Sequence, residues 1–251
     1  MALTLADVAA VAAVLGFGAM TQSAIGFGMG MVSIPLLVWL GHPLPHAVAL
    51  VLGAGVFQTS YGTWLLRRHV RWRRAFVIAA FQLVGVVAGV AGMAMLVGIS
   101  EATVKQGLGA MVLLALVAQV ALRPTPRERL APPWMGVAGA LAGFGAGLVG
   151  MGGPPLVFYA LAHRWERDVT RAFLWSQFAL ATPVVATLLA FEFGANVLLF
   201  VALGAAMVPV VILGVRAGLF LTRAWSPEGL RRAGLAMLFA LASTSLVGPL
   251  L

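Results

Sequence analysis

The chain has 251 residues, of which 62% are hydrophobic and only 9% charged, against about 25% charged in soluble domains. Long stretches without a charge leave no hydrophilic face, which excludes a soluble domain or a surface-bound amphipathic helix and implies an integral membrane protein. The formal charge of +9 does not mark a nucleic-acid binder, because every arginine falls in a short loop or at a helix end, where it reports orientation in the membrane.

In chain order, the first feature is a block from Val8 to Gly41 without any Asp, Glu, Lys or Arg. It carries Gly26-Phe27-Gly28-Met29-Gly30 and then Pro35. A single helix of that length would be roughly 50 Å long, against ~30 Å of hydrocarbon, yet two full spans need more residues than the block has. The economical solution is a hairpin of shortened or broken helices, over about 5–41, that meet at the glycines. The first segment has no basic start and runs straight into the glycines, so no cleavable signal peptide is expected. His42-Pro43-Leu44-Pro45-His46 makes a rigid turn. His42 and His46 are expected to be interfacial rather than metal-binding, since no further ligand stands near them.

A span at about 47–66 ends at the Arg67–Arg74 cluster, a topology determinant expected to contact anionic lipid. Spans at about 75–98 and 103–122 follow. A polar, proline-bearing stretch at 123–133 is then the expected boundary between a first membrane repeat (1–122) and a second (134–251). The second repeat opens with another charge-free block, Leu130 to Ala162, carrying Gly150-Met151-Gly152-Gly153-Pro154-Pro155. Spans are expected at about 172–191, 196–216 and 230–249, with Glu192 at the outer turn and Arg216 snorkelling to the inner surface.

If the arginine loops are cytoplasmic and each glycine block enters and leaves on one face, all arginines lie inside, with Asp7, Glu101, Lys105 and Glu192 outside. Each half is then a broken-helix hairpin plus three transmembrane helices, an odd number of crossings, so the halves are inverted. The expected fold is an all-α polytopic integral membrane protein of two inverted repeats, multi-pass in the cell inner (plasma) membrane. Gly/Pro-interrupted segments at matching places in two halves point to a transporter's binding site.

Where a helix begins within the membrane, its first amides are unpaired and its dipole end is positive. Glycine lets an oxyanion approach those amides without a Cβ in the way. The expected substrate-binding residues are therefore Gly26, Gly28 and Gly30 in the first block and Gly150, Gly152 and Gly153 in the second. Polar side chains within the spans extend the set: Gln22, Ser23, Gln58, Thr59, Ser176 and Gln177. Competing with this reading, Gly139, Gly143 and Gly147, or Gly26 and Gly30, have the small-xxx-small spacing that packs membrane helices, and a lone Ser or Thr usually bonds to helix carbonyls. No cofactor, metal or catalytic residue is expected. The chain has no cysteine, no Walker A sequence, no HExxH and no pair of membrane aspartates.

At the two glycine clusters the chain resembles the TauE/SafE family of membrane permeases, the sulfite exporters. Gly26–Gly30 with Pro35 fits the first copy of the family pattern, and Gly147-Leu148-Val149-Gly150-Met151-Gly152-Gly153 the second. Pro154-Pro155 there replaces the usual small residues, and Tyr159 stands where a later proline is expected. The resemblance implies a secondary-type transporter that exports sulfite, organosulfonates or related small anions. A channel-like pathway for small organic acids or other sulfur anions is the alternative, and homo-oligomerisation is left open.

Overall fold

The computed structural model describes residues 4–25, 28–121, 125–128 and 130–247. These form eleven described α-helices and no named strand. The first block contains α1 (Leu5–Ile25) and α2 (Met29–Trp39), followed by α3 (Leu44–Leu65), α4 (Trp72–Val97) and α5 (Glu101–Ala121). The second contains α6 (Pro133–Val149) and α7 (Gly153–Leu161), followed by α8 (Arg167–Phe193), α9 (Asn196–Ala206), α10 (Val208–Ala224) and α11 (Pro227–Val247).

Both blocks break at glycine, as their length requires. Gly28 caps α2 with φ 112°, and Gly150 ends α6 with φ 70°, a left-handed backbone that side-chain-bearing residues rarely adopt. The breaks are unequal in what they leave behind. With 21 residues, α1 is long enough to cross a membrane, whereas α2 and α7 have 11 and 9 residues, roughly 16 and 13 Å, about half the hydrocarbon thickness.

Four described helices are long and apolar enough to cross: Leu5–Ala24, Trp72–Val97, Glu101–Ala118 and Arg167–Phe193. A fifth crossing arises if the bent pair Asn196–Ala206 and Val208–Thr222 counts as one span. That pair corrects the expectation of a continuous segment at 196–216: it bends by 51° at Met207. Pro209, near the start of α10, is the physical reason, because it lacks the N–H that would continue the ladder and its ring crowds the preceding turn. The protein is thus a multi-pass, all-helical membrane protein. Its lipid-facing surface carries large exposed apolar side chains such as Phe76, Val84, Met95, Leu114 and Phe220, which water would not tolerate in such number.

Helix packing crosses between the halves. α1 lies along α10, and α6 along α4; α3 lies along α9, and α8 along α4; α5 pairs with α11, and α3 with α8. Exchanging α1–α5 for α6–α11, with α9 and α10 taken together as the counterpart of α4, leaves this set of partners unchanged. Because lipid is as apolar as leucine, such seams are held by close packing, and glycine lines them. A Cβ at Gly139 would lie 2.7 Å from the Ile78 carbonyl oxygen, and one at Gly143 would strike that of Gln82. Gly85 and Gly89 face Ala140 and Phe144 in return. The small-residue spacing of Gly139, Gly143 and Gly147 therefore serves the α4–α6 seam.

The loops sort to two ends. At one, Arg74 Nη1 lies 3.4 Å from His163 Nε2, while the 125–128 stretch bonds to the segment after α7, Arg127 N to Ala162 O at 2.9 Å and Arg164 N to Arg127 O at 3.1 Å. At the other, Trp39 Nε1 donates to Ser245 Oγ at 3.1 Å, Lys105 sits over the Trp39 ring and His46 stacks on Phe200. Burial pulls the pKa of His42 down and the carboxylate of Asp7 opposes it, so both ends of the first block share this side. Each block thus returns to the side it left, the first to the Trp39 end and the second to the arginine end.

This arrangement gives a topological prediction. Cysteine labels at Arg71, Thr125, Arg167 and Ser226 are expected to report one face, the cytoplasmic one by the arginine excess, while Ile99 and Gly194 report the other. Accessibility of Arg71 and Arg167 from opposite faces would contradict it.

Candidate functional site

The two breaks meet. A Cβ built on Gly30 would lie 2.6 Å from the carbonyl oxygen of Gly150, and one on Gly150 would press into Ile34 and Val48 of the first half. Beside this contact is a cavity of about 120 Å³, room for a small anion with water, since one water needs ~10–15 Å³ by this measure. Its depth follows from the helices that wall it. Gln82 is the eleventh of 26 residues in α4, and Phe178, Thr182 and Val185 occupy the middle of the 27-residue α8.

Of the residues expected from sequence, Gln22, Gly28, Gly30, Thr59, Gly150, Gly152 and Gly153 line this cavity. The start of α2 faces it through Gly28-Met29-Gly30-Met31 and the start of α7 through Gly152-Gly153-Pro154. Two helix starts, whose dipole ends are positive, therefore converge on one space. The two ends are chemically unequal, because Pro154 and Pro155 carry no N–H, leaving α7 with fewer donors than α2. Gly28 is strained for any other residue but open around it, its nearest Cβ neighbour being Thr21 Cγ2 at 3.8 Å. At Gly152, φ is −80°, so in the second block the left-handed residue is Gly150.

Other expected residues lie elsewhere. Ser23 does not line the cavity; its Oγ donates to Met20 O at 3.0 Å and Val215 O at 3.2 Å, fastening α1 to α10. Ser176 bonds back to Phe173 O at 2.8 Å. Gln177 donates its Nε2 to Ala75 O at 3.2 Å, joining α8 to the first turn of α4. Gln58 is buried but stands outside the cavity wall. Gly26 lies outside the described residues.

Sequence reading missed Gln82. It is 4% exposed, it lines the cavity, and its Oε1 has no hydrogen-bond partner. The available signal was a lone amide in the middle of a long apolar span, where an unpaired polar group is costly enough to suggest a function. Thr59 and Thr182 also line the cavity, with hydroxyls returned to Gly55 O and Phe178 O at 2.8 Å each. No Asp, Glu, Lys, Arg or His lies among the lining residues.

Leu156, on the cavity wall, also belongs to a buried apolar cluster with Tyr159, Phe173 and Leu174. Beside that cluster, Trp165 stacks on His163, with ring centroids 4.3 Å apart, and the guanidinium groups of Arg71 and Arg74 lie over the Trp165 ring at 5.7 and 5.3 Å. His163 Nδ1 is 2.8 Å from Tyr159 O, so Nδ1–H donates there and Nε2 accepts from Arg74. Burial holds the His163 pKa below its usual value; the Tyr159 hydrogen bond opposes this, and the nearby Arg74 and Arg71 add to it. The imidazole is accordingly neutral around pH 7. Among the described residues, no three metal-ligating side chains group together.

Comparison with known proteins agrees with this architecture. Residues 10–244 match the family described as sulfite exporter TauE/SafE. A relative from Cupriavidus necator, described as a probable sulfite/organosulfonate exporter TauE, is 26% identical over 234 residues, covering 92% of this chain and 91% of its own. No solved structure matches. With a family match that spans nearly its whole length and a fold of helices long enough to cross a membrane, the chain belongs to the sulfite exporter TauE/SafE family.

Proposed function

We propose that this protein is a secondary transporter of small anions. It exports sulfite or organosulfonates across the cell inner membrane and binds them in the mid-depth cavity between the two glycine breaks. The observation that carries the reading is the convergence of the α2 and α7 N-termini on a cavity lined by Gln22, Gln82 and Thr59. Amide N–H groups and helix dipoles bind an oxyanion there without the cost of a buried lysine or arginine. Family membership supports transport, and the name of the C. necator relative supports the sulfur oxyanions.

The halves are proposed to be inverted repeats, residues 1–122 and 134–251. Supporting this are the exchange symmetry of the helix partners and the return of the two blocks to opposite ends. Rocking one repeat against the other would expose the cavity alternately to each side. The arginines of the 67–74 loop would meet anionic lipid on the cytoplasmic face.

In proteoliposomes, flux of labelled sulfite or methanesulfonate is expected to saturate, and to show counterflow when the far side is preloaded with the same anion. Single-channel currents without counterflow would instead establish a channel-like pathway.

A further inference from the structure

The charge balance of the cavity limits what can occupy it, on the reading that it is an anion site. Its lining contains no ionisable side chain. Positive potential comes only from the starts of α2 and α7, each equivalent to roughly half an elementary charge. Together they supply at most about one charge. Carbonyl ends of α6 stand close by, and two of them are already engaged, Ala146 O by Gly150 N–H at 3.0 Å and Gly145 O by Met151 N–H at 2.9 Å. Pro154 and Pro155 subtract donors from the α7 end. One negative charge is offset in this space, and a second would be buried without a partner, which is costly at this depth.

Gln82 adds an independent observation. Gln82 lines the cavity, and its Oε1, buried like those of Gln58 and Gln177, is an acceptor without a donor. Fully deprotonated sulfite has no hydrogen to offer it and would be repelled. Hydrogensulfite in its O–H form can donate to Oε1 while its remaining oxygens face the helix amides. A sulfonate, which has no O–H, is met by the same amide turned over, with Nε2 donating.

We propose that the cavity takes its substrate as a singly charged anion, hydrogensulfite or an alkylsulfonate, and rejects doubly charged sulfite and sulfate. Sulfite then travels with its own proton, and one negative charge moves for each molecule carried.

The test uses the full-length protein and three probes, methanesulfonate, sulfite and sulfate, from mildly acidic to mildly alkaline pH, read by ligand-induced thermal stabilisation and by flux. Methanesulfonate keeps one charge throughout, and its affinity is expected to be flat; its profile also reports any effect of titrating His163, the imidazole stacked on Trp165. The apparent affinity for total sulfite is expected to fall about tenfold per pH unit above the pKa of hydrogensulfite, the slope for one bound proton. Sulfate should not bind at any pH. Gln82→Leu, which removes an unpaired buried acceptor without breaking a hydrogen bond, should fold and weaken hydrogensulfite more than methanesulfonate. Sulfite affinity that is flat or rises with pH while methanesulfonate binds overturns the charge selection and leaves the anion site standing. Sulfate binding as well as methanesulfonate does the same, and binding of none of the three overturns both.

Discussion

Gly28→Val is expected to abolish anion-induced thermal stabilisation while leaving a folded, membrane-inserted protein. At φ 112° a branched residue is strained by about 1–3 kcal/mol, and the break relaxes by turning away the amides of Met29, Gly30 and Met31 from the cavity. Nothing lies within 3.8 Å of the added Cβ, so the loss is one of site geometry rather than of packing. Gly41 is the control. It too has positive φ, 89°, with open space around it, but it lies in the turn after α2, away from the cavity. Gly41→Val should therefore carry similar strain and keep its ligand response. Gln22→Leu should weaken binding by about 1–3 kcal/mol, the scale of one charge-assisted hydrogen bond. Gln177→Leu should instead lower the melting temperature and spare binding, because its amide holds Ala75 O. The measurement is the shift in Tm with sulfite or methanesulfonate in detergent. A normal shift in Gly28→Val would place the anion elsewhere and reduce the breaks to scaffolding.

The largest stability effect is expected at the α4–α6 seam. Gly143→Leu drives a side chain into the backbone of α4 at Gln82, with no flexible group there to yield. Overpacking typically costs about 1–3 kcal/mol and more when backbone must move. Because Gly85, Gly89, Gly139 and Gly147 lie along the same seam, forcing the helices apart loosens every contact along it. Thermal unfolding followed by size-exclusion should show little folded protein for Gly143→Leu. Gly107, in α5, has nothing within 4 Å of an added Cβ, and Gly107→Ala should be stabilising by about 0.5–1 kcal/mol. If Gly143→Leu melts like the unmodified protein, the seam is not the close-packed contact described.

These two glycines also show where sequence reading stops. The presence of two helix breaks followed from charge-free blocks too long for one span and too short for two, a constraint set by bilayer thickness. Span limits followed from the arginine clusters. Whether a given glycine makes a break or a seam does not follow, because Gly28 and Gly143 differ only in backbone dihedral and in what stands opposite them. For the same reason the left-handed residue of the second block is Gly150 and not Gly152. Of the buried glutamines, Gln22, Gln58 and Gln177 were read as candidates and Gln82 was passed over, yet only Gln22 and Gln82 line the cavity. Only the rotation of each helix about its axis, set by its packing partner, decides which amide reaches the cavity, and α4 is turned by its seam with α6. The bend at Met207 was hidden by an unbroken apolar run, although Pro209 was its visible cause.

On the proposed inverted-repeat reading, the adjacent prolines at the head of α7 give the carrier a handedness in function that symmetry alone would deny. Two equivalent halves would make the forms open to either side mirror states of equal energy, with no resting preference. In the proposed anion site, with more donors on α2 than on α7, a bound anion would sit off centre, held more firmly by the first half. On the alternating-access reading, the two open forms then differ in energy by the worth of the missing donors, about 1–2 kcal/mol for one to two net hydrogen bonds. That offset skews the population of the loaded carrier roughly 5- to 30-fold towards one side. Such a bias makes release slower on one face than on the other and sets unequal half-saturation on the two sides, while the direction of net transport stays with the gradient.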